Sequence, residues 1–158
     1  MTAKKPRSRR PGWLARSSRW GRSLWRRRKV GAIPYRVVEG DVEFLLITSR
    51  RTGRWIFPKG GVIAGLDGPE SAAQEAYEEA GVRGAIASRP VGRYTDRARG
   101  GRSVEIRLYP LNVARELETW PEKAQRRRRW ASLDEARRLN LAPDLLDLAA
   151  KTRASLGL

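Results

Sequence analysis

The chain has 158 residues and a formal net charge of +17, from 34 Lys and Arg against 17 Asp and Glu. With 40% hydrophobic residues it is long enough for one domain with a hydrophobic core. It contains no cysteine and no histidine, which excludes thiol catalysis, disulfides, Cys/His zinc sites and a histidine base. Acid–base chemistry therefore falls to Asp, Glu, Lys or Tyr. No apolar run approaches the roughly 20 residues that span a bilayer, and we expect a cytoplasmic protein.

Most of the positive charge lies at the N-terminus. Residues 1–29 hold 12 Lys and Arg and no acid, which gives +12, whereas residues 30–158 hold 22 against 17 acids, which gives +5. Three interpretations compete for this stretch: a disordered basic arm, a contact for nucleic acid or an anionic membrane, and an organelle-targeting presequence. We expect a disordered arm at 1–29, a folded domain at 30–150 and a C-terminal tail at 151–158.

Strands dominate the pattern after the arm. Residues 31–38 and 42–50 are rich in β-branched and aromatic side chains and are separated by a Gly-Asp turn. A short strand around 55–57 and a Pro-Lys-Gly-Gly loop follow. Residues 84–97 and 103–117 are predicted as further strands because apolar and polar residues alternate there.

The most clearly marked helix is predicted over residues 69–80. Asp67 or Gly68 can cap its start, and Gly81 can close it. Two more helices are predicted near the C-terminus, one capped near Ser132 and one over 142–156.

The helix at 69–80 carries three carboxylates within five positions, Glu75, Glu78 and Glu79. At helical spacing they are expected on the side opposite an apolar stripe of Ala73, Ala76, Tyr77 and Ala80. Such like charges repel each other, so the cluster is either a solvated acidic surface or a site whose repulsion a cation offsets.

The loop before this helix favours the cation. Gly60, Gly61 and Gly65 allow a ligand to approach the backbone closely and offer carbonyl oxygens. Carboxylate and carbonyl oxygens, with no Cys or His available, suit Mg²⁺ or Mn²⁺.

Residues 60–82, GGVIAGLDGPESAAQEAYEEAGV, resemble the Nudix box, whose general form is G, five residues, E, seven residues and REUxEExGU, with U aliphatic. Two positions depart from this form, because Leu66 stands in place of the first Glu and Gln74 in place of the Arg. The positions that match in the second half of the box are Glu75, Glu78, Glu79, Gly81 and Val82.

The resemblance covers about residues 30–148. The stretches FLLITSRRTGRWIFPKGG and ETWPEKAQRRRRWASLDEA are similar to the Nudix branch that includes diphosphoinositol polyphosphate phosphohydrolases and related bacterial enzymes. The resemblance implies an α/β/α sandwich around a mixed β-sheet. It also implies Mg²⁺-dependent cleavage of a phosphoanhydride bond in a highly phosphorylated substrate, of the diphosphoinositol polyphosphate or dinucleoside polyphosphate type.

By the same resemblance, Glu75, Glu79 and the Gly60 carbonyl are expected to hold the metal. Glu78 is the candidate general base or second-metal ligand. Members of the family differ over which carboxylate takes the proton, and some use a Glu from a distant loop. The distant candidates in this chain are Glu105, Glu118 and Glu122.

Substrate phosphates are expected to meet Arg and Lys side chains near the metal, because guanidinium groups match phosphate oxygens. One or two members of the run Arg126–Arg129 are also expected to reach a polyanion, with Trp130 turned inward. The candidate substrate-binding residues are Arg50, Arg51, Lys59 and Arg36.

Two other functions compete with this one. Leu66 and Gln74 are also compatible with a catalytically impaired Nudix-fold module that binds RNA or another polyanion through the basic arm. A nucleotide or RNA-end pyrophosphohydrolase would share the helix but needs aromatic side chains to stack a base. The candidates for that stacking are Trp55, Tyr94 and Trp120.

Overall fold

A mixed eight-stranded sheet forms the centre of the computed structural model, which describes residues 28–158. The expectations for residues 1–27 lie outside the described residues. The strands are β1 Lys29–Val38, β2 Asp41–Thr48, β3 Trp55–Ile56, β4 Lys59–Gly61, β5 Val82–Ile86, β6 Gly92–Arg97, β7 Ser103–Glu116 and β8 Arg128–Ala131. The helices are α1 Gly68–Glu75 with a π-helical turn Ala76–Ala80, a 3₁₀ turn Lys123–Gln125, α2 Leu133–Arg138 and α3 Pro143–Ser155.

Strand β1 organises the sheet. It pairs antiparallel with β2 and β4 and parallel with β7, which makes the sheet mixed. β7 in turn pairs antiparallel with β5 and β6, and β2 pairs antiparallel with β3 and β8.

The sheet is buried on both faces. Along β2, Phe44 and Leu46 pack with residues of α2 and α3, whereas Leu45 and Ile47 pack with the alanines of α1. Successive side chains of a strand point to opposite faces, so this alternation places helices on both sides. The predicted α/β/α sandwich is confirmed.

Two predicted boundaries differ from the structure. The stretch 84–97 forms two strands instead of one, because the chain bends between β5 and β6 at Pro90, which has no N–H to donate to a ladder. Helix α3 continues past residue 150, and Thr152 is fully buried with its hydroxyl donating to the Leu148 carbonyl at 2.9 Å. Residues 151–155 therefore pack as part of the domain.

The predicted start of α2 near Ser132 is confirmed. Ser132 caps α2 through a capping box with Glu135, in which each side chain accepts from the other residue's backbone N–H. No helix among residues 28–158 is long and apolar enough to cross a membrane.

Candidate metal and active site

Helix α1 begins where the sequence predicted. The Asp67 side chain accepts from the Glu70 N–H at 2.8 Å, and the Glu70 side chain accepts from the Asp67 N–H at 2.9 Å. α1 and the π-helical turn form one continuous helix over residues 68–80, the box helix, which closes at Gly81 with φ 66°. A left-handed residue is the usual end of a helix, and glycine adopts that conformation without strain.

The π-helical turn changes which side chains are buried. Ala72, Ala76 and Ala80 are fully buried against the sheet, whereas Ala73 and Tyr77 are partly exposed. Ala73 still packs against the core that contains these three alanines, so the predicted stripe is wrong at Tyr77 alone. A π-helical turn is wider than 3.6 residues, and the sequence carries no signal for it.

Glu75 lies directly against the glycine loop. A Cβ atom built on Gly60 would stand 2.0 Å from Oε1 of Glu75 and 2.5 Å from its Oε2. A side chain at position 60 would overlap this carboxylate, so the absence of a side chain at Gly60 allows Glu75 to lie there. The structure thus brings together two of the residues that sequence analysis assigned to the metal.

Glu79 is buried, with 8% of its surface exposed. Its carboxylate accepts from the Lys59 N–H at 3.0 Å and forms an ion pair with Arg126. Glu79 is therefore not part of a solvated acidic surface, because β4 and the chain around Arg126 cover it.

Glu78 is held by its neighbour on the box helix. The Gln74 side-chain amide donates to Oε1 of Glu78 at 2.7 Å. Gln74 occupies the position where the Nudix box has Arg, so an uncharged donor contacts this carboxylate.

Sequence analysis did not predict that Arg126 and Glu122 lie beside the carboxylates of the box helix. Arg126 has only 5% of its side chain exposed, and its Nε donates to Glu122 at 2.6 Å while its other nitrogens meet Glu79 and the Thr48 carbonyl. Glu122, which sequence analysis gave as one of three distant candidates, thereby comes beside the box helix. The i,i+4 spacing of Glu122 and Arg126 was the available signal.

Burial and mutual repulsion change the acidity of these groups. Burial, followed by the charges of Glu79, Glu78 and Glu122, raises the pKa of Glu75 to about 7. Burial also raises the pKa of Glu79, although Arg126 opposes the shift. A partly buried acidic cluster of this kind is stabilised by added positive charge.

Residues 25–151 match the family model of the NUDIX domain. The chain belongs to the NUDIX family. Nudix hydrolase 18, mitochondrial, of Arabidopsis thaliana is 38% identical over 120 residues, covering 71% of this chain and 68% of the plant protein. Diphosphoinositol polyphosphate phosphohydrolase 2 of Rattus norvegicus is 31% identical over 112 residues, covering 70% of this chain and 60% of that protein.

A solved structure agrees with the family assignment. The C. elegans Ap4A hydrolase in a binary complex has a TM-score of 0.66 and 27% identity, over 82% of this chain and 97% of that one. Like the Nudix hydrolases, the chain is an enzyme of the class that acts on phosphorus-containing acid anhydrides.

The donor chemistry of the Nudix box fits a hard divalent cation. The carboxylate oxygens of Glu75 and Glu79 both lie beside β4, Glu75 against Gly60 and Glu79 on the Lys59 N–H. As the side chains stand, no three carboxylates within residues 28–158 converge on one point. Arg126 instead places its guanidinium group between Glu79 and Glu122.

Three of the four predicted substrate contacts lie beside the box. Lys59 pairs with Asp96 at 3.2 Å, and Arg50 donates to Gln125 at 2.7 Å and lies 3.4 Å from Glu122. Arg51, the next residue, donates to the Arg97 carbonyl at 3.4 Å.

Arg36 does not lie with them. It pairs with Glu43 at 2.6 Å and stacks over the ring of Trp130 at 4.1 Å. Gly31 of the same strand pairs with Lys59, and five residues of strand place Arg36 about 17 Å further along. The prediction is corrected at Arg36, because β1 carries it to the other end of the sheet.

The other residues considered for the site are the rest of the arginine run, the aromatic side chains and the distant carboxylates. Arg127 stacks over Trp55 at 5.6 Å, and Arg129 is exposed on β8. Trp120 is 9% exposed, so its ring is not open to stack a base, whereas Tyr94 is half-buried with its hydroxyl inward. Among the distant carboxylates, Glu105 pairs with Arg93 and Arg107 on an exposed sheet face, and Glu118 is exposed.

Proposed function

We propose that the protein is a Mg²⁺- or Mn²⁺-dependent hydrolase that cleaves a phosphoanhydride bond in a highly phosphorylated substrate. The substrate is of the diphosphoinositol polyphosphate or dinucleoside polyphosphate type. The observation that carries the proposal is the Glu75 carboxylate lying against Gly60, one helical turn from the buried Glu79. The names of the rat and C. elegans relatives support the substrate class.

Each residue of the site has a proposed role. Glu75, Glu79 and the Gly60 carbonyl would hold the cation, which supplies charge neutralisation at the phosphate oxygens and activation of water when bound. Glu78, held by Gln74, is the proposed general base, and Glu122 is the alternative because its carboxylate reaches the same end of the helix through Arg126.

Positive side chains around the box account for the preference for many phosphates. Arg50 lies beside Glu122 and Lys59 beside Asp96, and the Lys59 N–H binds Glu79. Arg51, which contacts the Arg97 carbonyl, is a proposed substrate contact further from the carboxylates. Guanidinium and ammonium groups bind phosphate oxygens through charge-assisted hydrogen bonds. Removing one of them should raise the KM for a polyphosphate more than it lowers kcat.

The test is hydrolysis of a substrate panel by the full chain, wild type beside Glu79→Gln. The panel holds diphosphoinositol polyphosphates, dinucleoside polyphosphates, nucleoside triphosphates, ADP-ribose and 5′-triphosphate RNA, each with Mg²⁺, Mn²⁺ or chelator. We expect metal-dependent release of phosphate or nucleotide. The rate of release should fall at least about tenfold in Glu79→Gln, since one lost charge contact in a transition state costs that much or more.

Two results of the panel lead elsewhere. Turnover of RNA ends or nucleoside triphosphates alone would favour a nucleotide pyrophosphohydrolase. Silence across the panel from folded protein would favour a polyanion-binding module that acts through the basic residues 1–29. A cytoplasmic location stays a prediction, because the name of a plant relative places that protein in mitochondria. Cell fractionation with the tagged protein would test it.

A further inference from the structure

The last three backbone carbonyls of the box helix, and that of Gly81 directly after it, accept hydrogen bonds from one segment of chain, residues 117–128. The final carbonyls of a helix have no partner within the helix itself. The bonds are Glu122 N–H to Glu78 O at 3.0 Å, Trp120 Nε1 to Glu79 O at 3.2 Å, Arg128 Nη1 to Ala80 O at 3.0 Å and Leu117 N–H to Gly81 O at 2.8 Å.

Two of these four donors are side chains, and they are stacked on each other. The Arg128 guanidinium lies 3.9 Å above the ring of Trp120 and also donates to the Leu117 carbonyl at 2.7 Å. A Cβ atom built on Gly81 would stand 2.6 Å from the Trp120 ring and 2.8 Å from Arg128. The stack therefore packs directly on the residue that ends the box helix.

This arrangement suits the π-helical turn. π-helical turns are rare and occur mostly as single turns within α-helices, frequently at functional sites. A cation at the C-terminal end of a helix is also favoured by the helix dipole. Arg128 supplies that cation at Ala80, the last residue of the turn, and at Gly81, which follows it.

The turn carries the carboxylates of the candidate site. Glu78 and Glu79 are the residues whose carbonyls are bound by Glu122 and Trp120, so these bonds fix the backbone from which both side chains project. A shift of this turn would move both carboxylates relative to Gly60, which belongs to a different element.

We propose that Trp120 and Arg128 are positioning residues that set the direction of the Glu78 and Glu79 carboxylates toward the bound cation. The inference rests on the proposed function, because it assumes that these carboxylates serve a metal. It adds that the donors of the 117–128 segment determine the metal affinity of the box.

The test measures Mn²⁺ binding to the full chain by titration calorimetry, together with kcat, KM and the urea midpoint. Trp120→Phe keeps an aromatic ring under Arg128 but removes the Nε1 donor, and Arg128→Lys keeps the charge but removes the forked donor. Trp130→Phe is the matched control, because Nε1 of Trp130 donates to Oε2 of Glu116 and to no box-helix carbonyl, while the pair of Arg128 with Oε1 of Glu116 at 3.3 Å stays in place. Arg153→Lys, which likewise keeps the charge but removes the Nε donor to Asp41 in a surface pair, controls for the Arg change.

We expect Trp120→Phe and Arg128→Lys each to weaken Mn²⁺ binding by about fivefold or more, since a buried carbonyl loses its donor. kcat should fall in parallel while the KM for substrate at saturating metal stays at the wild-type value. Both controls should bind Mn²⁺ as wild type does. A purely structural role would lower the urea midpoint and leave the affinity of the folded fraction unchanged.

Wild-type Mn²⁺ affinity in both folded variants would overturn the inference alone. If Trp120→Phe does not fold, the Mn²⁺ affinity of Arg128→Lys alone decides, and a wild-type value would overturn the inference. A wild-type chain that binds no Mn²⁺ would overturn the proposed function, and the inference with it.

Discussion

Arg126 forms a buried ion pair with Glu79, a residue 47 positions earlier in the chain. The same guanidinium group donates to Glu122 at 2.6 Å and to the Thr48 carbonyl at 3.0 Å. One side chain therefore links the box helix, β2 and the 117–128 segment. Its positive charge lies where the carboxylates would otherwise repel each other, so Arg126 compensates the acidic cluster in the metal-free protein.

Arg126→Gln should destabilise the metal-free protein by about 3 kcal/mol, because removing one partner of a buried pair leaves the other charge uncompensated. Mg²⁺ should recover part of this loss, since it supplies the missing positive charge. Urea unfolding in chelator and in Mg²⁺ measures both effects. Arg129→Gln, an exposed member of the same run, is the control. Equal responses of the two variants to Mg²⁺ would contradict the compensating role.

The raised pKa of Glu75 predicts how stability varies with pH. Its pKa is about 7 in the folded metal-free protein against an ordinary value of 4.5, so the folded state holds more protons than the unfolded state between these values. Stability from this group is present below pH 4.5 and is lost as the pH rises through 7. The pKa of Glu79 is shifted in the same direction.

Thermal unfolding in chelator from about pH 5 to about pH 8 tests this sign. Glu75→Gln should flatten the decline, because the amide has no proton to lose. Mg²⁺ should restore stability to wild type at the upper end of the range and have less effect on Glu75→Gln. A variant that declines as steeply as wild type would show that Glu75 titrates normally.

Local signals predicted much of the fold and both ends of the box helix. The capping box at Asp67 and Glu70 and the glycine at position 81 involve residues a few positions apart, so their pattern is visible in the sequence. The alternation of apolar and polar residues along a strand likewise predicts which of its side chains are buried, and it is visible within a few residues. Gly60 and Glu75 were paired through the resemblance to the Nudix box.

The rest of the site depends on contacts that are remote in sequence. Glu79 is buried because Lys59 and Arg126 reach it across 20 and 47 positions. Donors of the 117–128 segment bind carbonyls of the π-helical turn, and a count at 3.6 residues per turn misplaces Tyr77. Arg36 was expected near the box, but the direction of β1 carries it away from Lys59 to a pair with Glu43.

Leu66 offers a test of the departure from the Nudix box. Its side chain is 37% exposed just before the cap Asp67, so Leu66→Glu should change stability by less than about 0.5 kcal/mol. An added carboxylate in the box should lower the Mg²⁺ concentration needed for half-maximal activity. Metal titration of the rate, with Leu66→Gln as the uncharged control, measures this. Loss of folding in Leu66→Glu would contradict the register of the box.

Two adjacent glycines give the sharpest test of the Glu75 position. At Gly60 an added Cβ atom would stand 2.0 Å from the Glu75 carboxylate, whereas at Gly61 nothing lies within 4 Å. Neither residue has a positive φ, so alanine strains neither backbone.

Gly60→Ala should therefore displace the Glu75 carboxylate and lower kcat/KM by about tenfold or more, an effect equivalent to about 1.4 kcal/mol. Gly61→Ala should retain wild-type activity, because its methyl group enters open space. Mn²⁺ binding by calorimetry separates a displaced metal ligand from a simple loss of folding, since a folded Gly60→Ala variant should bind Mn²⁺ more weakly. If both variants bind Mn²⁺ and turn over substrate equally well, Glu75 does not act from its place beside Gly60.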